Sequence, residues 1–304
     1  MGRILVTFFL CCSAVGLSAS PRLRVRFGGQ SSRVAAQTPS TPGHEHPSVS
    51  LDGSRIAFVS GGDIYVIHAD GTGEAQLTRT PEAEASPAWT RGGKITYSVF
   101  ADNASRLFIA DADGRNARVL ATVPGRAPVL SPDETRVIYW TGSWTSTRLL
   151  VATLDGSAVR QVTDGSSIAW NAQWSPDGRQ IAYTGRDAGG VLHVFVMNAD
   201  GSAPRQLTHI PRAEGEAQVP AWSPDGHQIA FQVTPAKGKP GHIWIADAET
   251  GVARKVAVHT QPFVDEVPAW FPDGKRLAFQ SNRTGRMEIW VINANGAGAR
   301  QMTR

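Results

Sequence analysis

The stretch AWSPDGHQIAF, residues 221–231, sets an aromatic end, a tight turn and a fresh apolar run side by side. Trp222 closes one segment. In the turn that follows, Pro224 fixes φ, Asp225 can bond its own backbone, and Gly226 takes the left-handed position. Gln228–Phe231 then resumes with residues suited to a strand. The same writing returns as WSPDGRQIAYTG at 174–185 and as WFPDGKRLAFQ at 270–280.

Aligned on Asp225, the equivalent positions are Asp52, Gly92, Asp133, Asp177 and Asp273, spaced 40 to 48 residues apart. Residues away from the turn keep the register. Five before the anchor stand Pro47, Pro87, Pro128, Ala172, Pro220 and Pro268, and three before it Val49, Trp89, Leu130, Trp174, Trp222 and Trp270. Five or six after it stand Phe58, Tyr97, Tyr139, Tyr183, Phe231 and Phe279. A second turn follows in each unit, as ADG at 69–71, 112–114 and 199–201, LDG at 154–156, ETG at 249–251 and ANG at 294–296. Most units close on a QLT-like stretch, at Gln76–Thr78, Gln161–Thr163, Gln206–Thr208 and Gln301–Thr303.

Each unit reads as four short strands bounded by turns. A sheet that small has two apolar faces and cannot bury either alone. Stacking the units face to face in a ring solves this, so the expected fold is all-β: a six-bladed β-propeller with four-stranded antiparallel blades. The blades are expected over about 44–80, 81–122, 123–165, 166–210, 211–259 and 260–304. No strand is visibly shared between the first and last units. Closure then falls to packing, or to RLRVRF (22–27) added to an end blade.

Charge excludes one function class. The 304 residues carry a formal charge of +4 and a pI near 9.3. Residues 1–43 hold Arg3, Arg22, Arg24, Arg26 and Arg33 and no acid, so 44–304 carry the other 25 basic residues against all 26 acids. A nucleic-acid footprint belongs on the folded domain, so no nucleic-acid partner is expected. Residues 1–20, MGRILVTFFLCCSAVGLSAS, have the layout of a signal peptide, with an apolar run too short for a comfortable span. Both cysteines, Cys11 and Cys12, lie in that run. Residues 21–43 read as a flexible basic tail. A processed, periplasmic or secreted monomer without a stable membrane span is the expectation.

The repeats AWSPDGHQIAF, WSPDGRQIAYTG and VFVMNADGSAPRQLT (194–208) closely resemble the TolB-type propeller repeat, over about 44–304. The resemblance implies a TolB-like propeller of the bacterial cell envelope, with an envelope protein or peptide as partner, such as a Pal-like lipoprotein. TolB itself carries a preceding α/β domain, and only about 23 residues stand here between leader and repeat, so the TolB role is expected to differ. The same repeat also serves peptidases and some lyases. Propeller peptidases need a G-x-S-x-G elbow, which this chain lacks, as it lacks a P-loop, a dinucleotide fingerprint and H-E-x-x-H.

Chemistry is therefore sought at the channel mouth, where the segments leading into each first strand converge. The candidate binding residues are His44, Glu45, His46, Glu84, Arg126, Asn171, Glu216, Asp265 and Glu266. On an extended strand His44 and His46 would share a face, a weak metal corner. No cofactor is expected beyond an optional divalent cation. Repulsion among the acids favours a cation or a basic partner segment. The Trp column is expected to be inter-blade core, and His68, His193, His209, His227, His242 and His259 surface or structural. The expected function is a non-catalytic, exported, TolB-like scaffold. The alternative is a polysaccharide lyase or metal-dependent hydrolase acting at the mouth.

Overall fold

A computed structural model describes residues 43–143, 145–235 and 239–304. The leader, all but the last residue of the basic tail, RLRVRF and the two cysteines lie outside the described residues. Twenty-four strands follow in six sheets, and no helix occurs among the described residues.

Blade 1 is β1 (His44–Val49), β2 (Arg55–Ser60), β3 (Asp63–His68) and β4 (Ala75–Gln76). Blade 2 is β5 (Glu84–Trp89), β6 (Ile95–Ala101), β7 (Ala104–Ala110) and β8 (Arg118–Val123). Blade 3 is β9 (Arg126–Leu130), β10 (Arg136–Ser143), β11 (Ser146–Thr153) and β12 (Val159–Gln161). Blade 4 is β13 (Ala169–Trp174), β14 (Gln180–Arg186), β15 (Leu192–Asn198) and β16 (Arg205–Gln206). Blade 5 is β17 (Glu216–Trp222), β18 (Gln228–Thr234), β19 (His242–Asp247) and β20 (Ala253–Lys255). Blade 6 is β21 (Asp265–Trp270), β22 (Arg276–Ser281), β23 (Glu288–Asn293) and β24 (Arg300–Gln301). Each sheet runs in chain order and is antiparallel throughout. At five of the six joints the first strands of neighbouring blades touch, so the first strands form the inner ring and the fourth strands the rim.

The two turns have different reasons for glycine. At Gly226 (φ +74) an added Cβ would meet nothing nearer than 3.9 Å, so conformation alone demands it. At Gly296 (φ +90) the Cβ would fall 2.0 Å from the Val256 carbonyl oxygen of the preceding blade. The second turn of blade 6 is thus a contact surface with blade 5.

The conserved-looking columns of the repeat build the joints. All six aromatics, Phe58, Tyr97, Tyr139, Tyr183, Phe231 and Phe279, are buried. Nε1 of Trp89, Trp174 and Trp270 donates to the carbonyls of Ser48, Val129 and Ala221 on the preceding first strand, at 3.2, 3.2 and 3.1 Å. The QLT threonines work within a blade. Thr78, Thr163, Thr208 and Thr303 accept at Oγ1 from the amides of Ile64, Leu149, Val194 and Ile289.

The ring closes by packing. Ile56, Phe58 and Ile67 of blade 1 share a core cluster with Phe271, Ala278, Ile289 and Val291 of blade 6. The His44 amide donates to the Met287 carbonyl at 2.9 Å, and Arg300 donates from both terminal nitrogens to the carbonyls of Asp70 and Ala69. Arg254 makes the same reach to Ala294 at an internal joint. The closing joint therefore uses the parts of an ordinary one.

Candidate channel-mouth site

Every first strand carries a bulge near its beginning, on His46, Ser86, Ala127, Asn171, Val219 and Val267. These six residues have φ between 48° and 55°. Five of them precede proline, where sterics ordinarily favour extended backbone, and two are β-branched, for which positive φ is costly. Three of the freed amides find partners across the joints. Val219 donates to Thr184 Oγ1 (3.2 Å), Val267 to Gln232 Oε1 (3.0 Å) and His46 to Gln280 Oε1 (2.9 Å).

The bulge corrects the reading of HEH as an extended strand. Strict alternation breaks at His46, so His44 and His46 do not form one imidazole face. His44 turns into the joint between blades 6 and 1, where its Nδ1 lies 2.9 Å from Glu288 Oε2. Glu288 is buried there and also accepts from Thr303 Oγ1 and Arg286 Nε. His46 is held below the usual imidazole range by burial. Among the described residues no group of three or more His, Cys, Asp or Glu side chains is placed to hold a metal ion.

The remaining candidates divide between joints and mouth. Glu84 is buried, accepts from Thr78 and Thr80, and burial holds its carboxyl above the usual range. Asp265 is also buried and accepts from Arg283 at 2.6 Å. Both begin a first strand and serve a joint rather than the channel. Asn171 is one of the six bulge residues, and Glu216 pairs with Thr234 at the start of β17.

One position before the bulge stand, in ring order, Glu45, Ala85, Arg126, Trp170, Gln218 and Glu266, each in register with the second strand of its own blade. This ring is polarised. Burial raises the Glu45 carboxyl, and it raises Glu266, with the charges of Glu45 and Asp265 raising Glu266 further against a hydrogen bond from Gln280. Across the ring the Arg126 guanidinium lies 3.7 Å from the Phe100 ring centroid and 5.9 Å from that of Trp140. Trp140 in turn sits 6.3 Å from Trp170. Phe100, Trp140 and Trp170 carry no motif in the sequence, because they depart from the repeat instead of following it. Counting the column beside the bulge, unit by unit, would have exposed Trp170.

A second polar cluster was also missed. His242 and His259 lie 4.4 Å apart in the joint between blades 5 and 6, and His259 Nε2 is 3.4 Å from Asp265 Oδ2. His193 is likewise buried, 3.4 Å from Asp187. These histidines come together from sequence separations no ligand spacing would flag.

The sequence pattern of the TolB beta propeller domain matches residues 54–219 and 205–304. An uncharacterized peptidase YuxL of Bacillus subtilis is 31% identical over 100 residues, which is 31% of this chain and 15% of that protein. TolB from Acinetobacter baumannii is similar in structure, with a TM-score of 0.64 at 18% identity, covering 85% of this chain and 62% of that one. An oligogalacturonate lyase from Vibrio parahaemolyticus is similar with a TM-score of 0.57 at 16% identity, covering 88% and 80%. At those identities the likeness is one of fold.

Proposed function

The chain belongs to the TolB beta propeller domain family, and from that premise we propose that it is an exported, non-catalytic scaffold that holds a protein or peptide segment of the bacterial cell envelope at its channel mouth. The observation that carries this reading is the polarised ring beside the bulges, with two acids facing an arginine on aromatic rings. Such a surface recognises a charged segment by complementarity, and nothing in it resembles a nucleophile aligned on a base. The leader pattern supports export, and a Pal-like lipoprotein is one partner that fits.

The test uses the full chain, immobilised and exposed to envelope extract. A retained protein is identified by mass spectrometry and rebound in purified form. Loss of that binding in an Arg126→Ala/Glu266→Ala variant is expected; equal binding to both forms contradicts the mouth as the site. The fold likeness to a lyase keeps the enzyme reading as the alternative. Stoichiometric divalent metal in the purified protein, lost on His46→Ala, would favour it.

A further inference from the structure

The two charged sides of the mouth stand on opposite blades of a six-membered ring. Glu266 and Glu45 stand on blades 6 and 1, with Gln280 bonded to both Glu266 and the His46 amide. Arg126 and Trp170 stand on blades 3 and 4, bridged by Trp140, which is the cross-strand neighbour of Arg126. Ala85 and Gln218, on blades 2 and 5, leave the positions between them small or neutral. Sequence order around the ring thus sets blades 3 and 4 opposite blades 6 and 1.

Among the described residues neither Glu45 and Glu266 nor Arg126 meets an opposite charge. Among the described residues, no basic side chain lies within ion-pair distance of Glu45 or Glu266, whereas Asp265 beside them is matched by Arg283. Arg126 makes no ion pair among the described residues either, and its planar face rests on Phe100. A guanidinium so held keeps its edge for a planar anion, and stacking fixes its direction before a ligand arrives. Two partly buried acids without a cation gain most from an ammonium or guanidinium group brought by a ligand.

We propose that the mouth binds a short peptide segment in one direction, its cationic end at Glu45 and Glu266 and its carboxylate, with a neighbouring aromatic side chain, at Arg126, Trp140 and Trp170. The inference rests on the peptide-binding reading above and adds the chemistry and orientation of the ligand. A neutral sugar engages one wall only, and a lone metal ion leaves Arg126 unused.

The probes are the peptides Lys-(Ala)n-Phe, with n from 1 to 5, titrated by calorimetry into the full chain at low ionic strength. For the best length, amidating the C-terminus is expected to weaken binding about tenfold, as is replacing Lys by acetyl-norleucine, these being charge pairs at a partly dry surface. Arg126→Gln is expected to abolish the preference for carboxylate over amide and to keep the preference for Lys. Glu45→Gln/Glu266→Gln is expected to do the converse. Thermal unfolding of each variant confirms that it is folded. Binding that keeps both preferences in both variants overturns the orientation while leaving a peptide site. Absence of binding by every length, with an envelope partner still captured through the mouth, overturns the ligand class. Calcium binding that vanishes in the double variant, with no peptide binding, overturns it in favour of a cation site.

Discussion

The glycines of the two turns separate conformation from contact at the scale of one residue. Gly178→Ala meets nothing within 3.8 Å and costs only the left-handed backbone, about 1–2 kcal/mol. Gly296→Ala adds a collision with the backbone of the preceding blade, so its cost should be at least twice as large. Urea unfolding of the two variants checks the order; equal losses would mean the second turn is not a joint. His242 gives a pH signature. Burial, with His259 and Lys255 opposing its charge, lowers its pKa to about 4 in the folded chain. The unfolded chain takes the proton first, near the ordinary imidazole value of about 6.5. The stability this neutral histidine allows is therefore present above that value and lost as pH falls from there toward 4. Asp265, Glu214, Lys255 and Arg283 face the pair. His242→Asn should accordingly lose less melting temperature than the wild type between those two pH values. An identical loss would show that His242 is not buried neutral. Glu266 has the opposite sign. Its carboxyl is raised by burial, so Glu266→Gln should raise the melting temperature at pH 8 more than at pH 5.

At the scale of the element, the bulged first strand explains what sequence could and could not show. Turn chemistry and β-type runs are local, so the four strands of a unit and their order are legible from WSPDG, ADG and QLT. The bulge is not local. A residue before proline reads as extended, yet Val267 is left-handed because its amide is taken by Gln232 of the neighbouring blade. That single inversion is why His44 and His46 part company and why the column beside the bulge had to be seen in three dimensions. Gln232→Leu leaves the Val267 amide without its acceptor and should cost about 1–3 kcal/mol. Gln218→Leu, a half-buried neighbour on the same pair of strands, should cost under about 1 kcal/mol. Calorimetric unfolding distinguishes them, and equal costs would remove the cross-joint bond from the account.

For the whole molecule, closure is the decisive property, because six small sheets hide their faces only if the first also meets the last. The repeat predicted the count of blades from spacing alone, but it left closure open, since packing between the ends of a chain has no local signature. The joint between blades 6 and 1 answers with the shared core around Phe58 and Phe271, the Arg300 reach to Asp70, and the buried His44–Glu288 contact. The mouth depends on the same closure, for Glu45 and Glu266 are neighbours only across that joint. An open arc would separate them and leave no polarised ring.

A Gly43→Cys/Met287→Cys variant, with Cys11 and Cys12 changed to serine, measures this directly. A Cβ at Gly43 would stand 3.0 Å from that of Met287, close enough for a bridge with slight adjustment. Intact-mass spectrometry after mild oxidation should show a monomer lighter by the two hydrogens of one disulfide, with a melting temperature no lower than its reduced form. Free thiols, or disulfide-linked dimers alone, would contradict a closed ring.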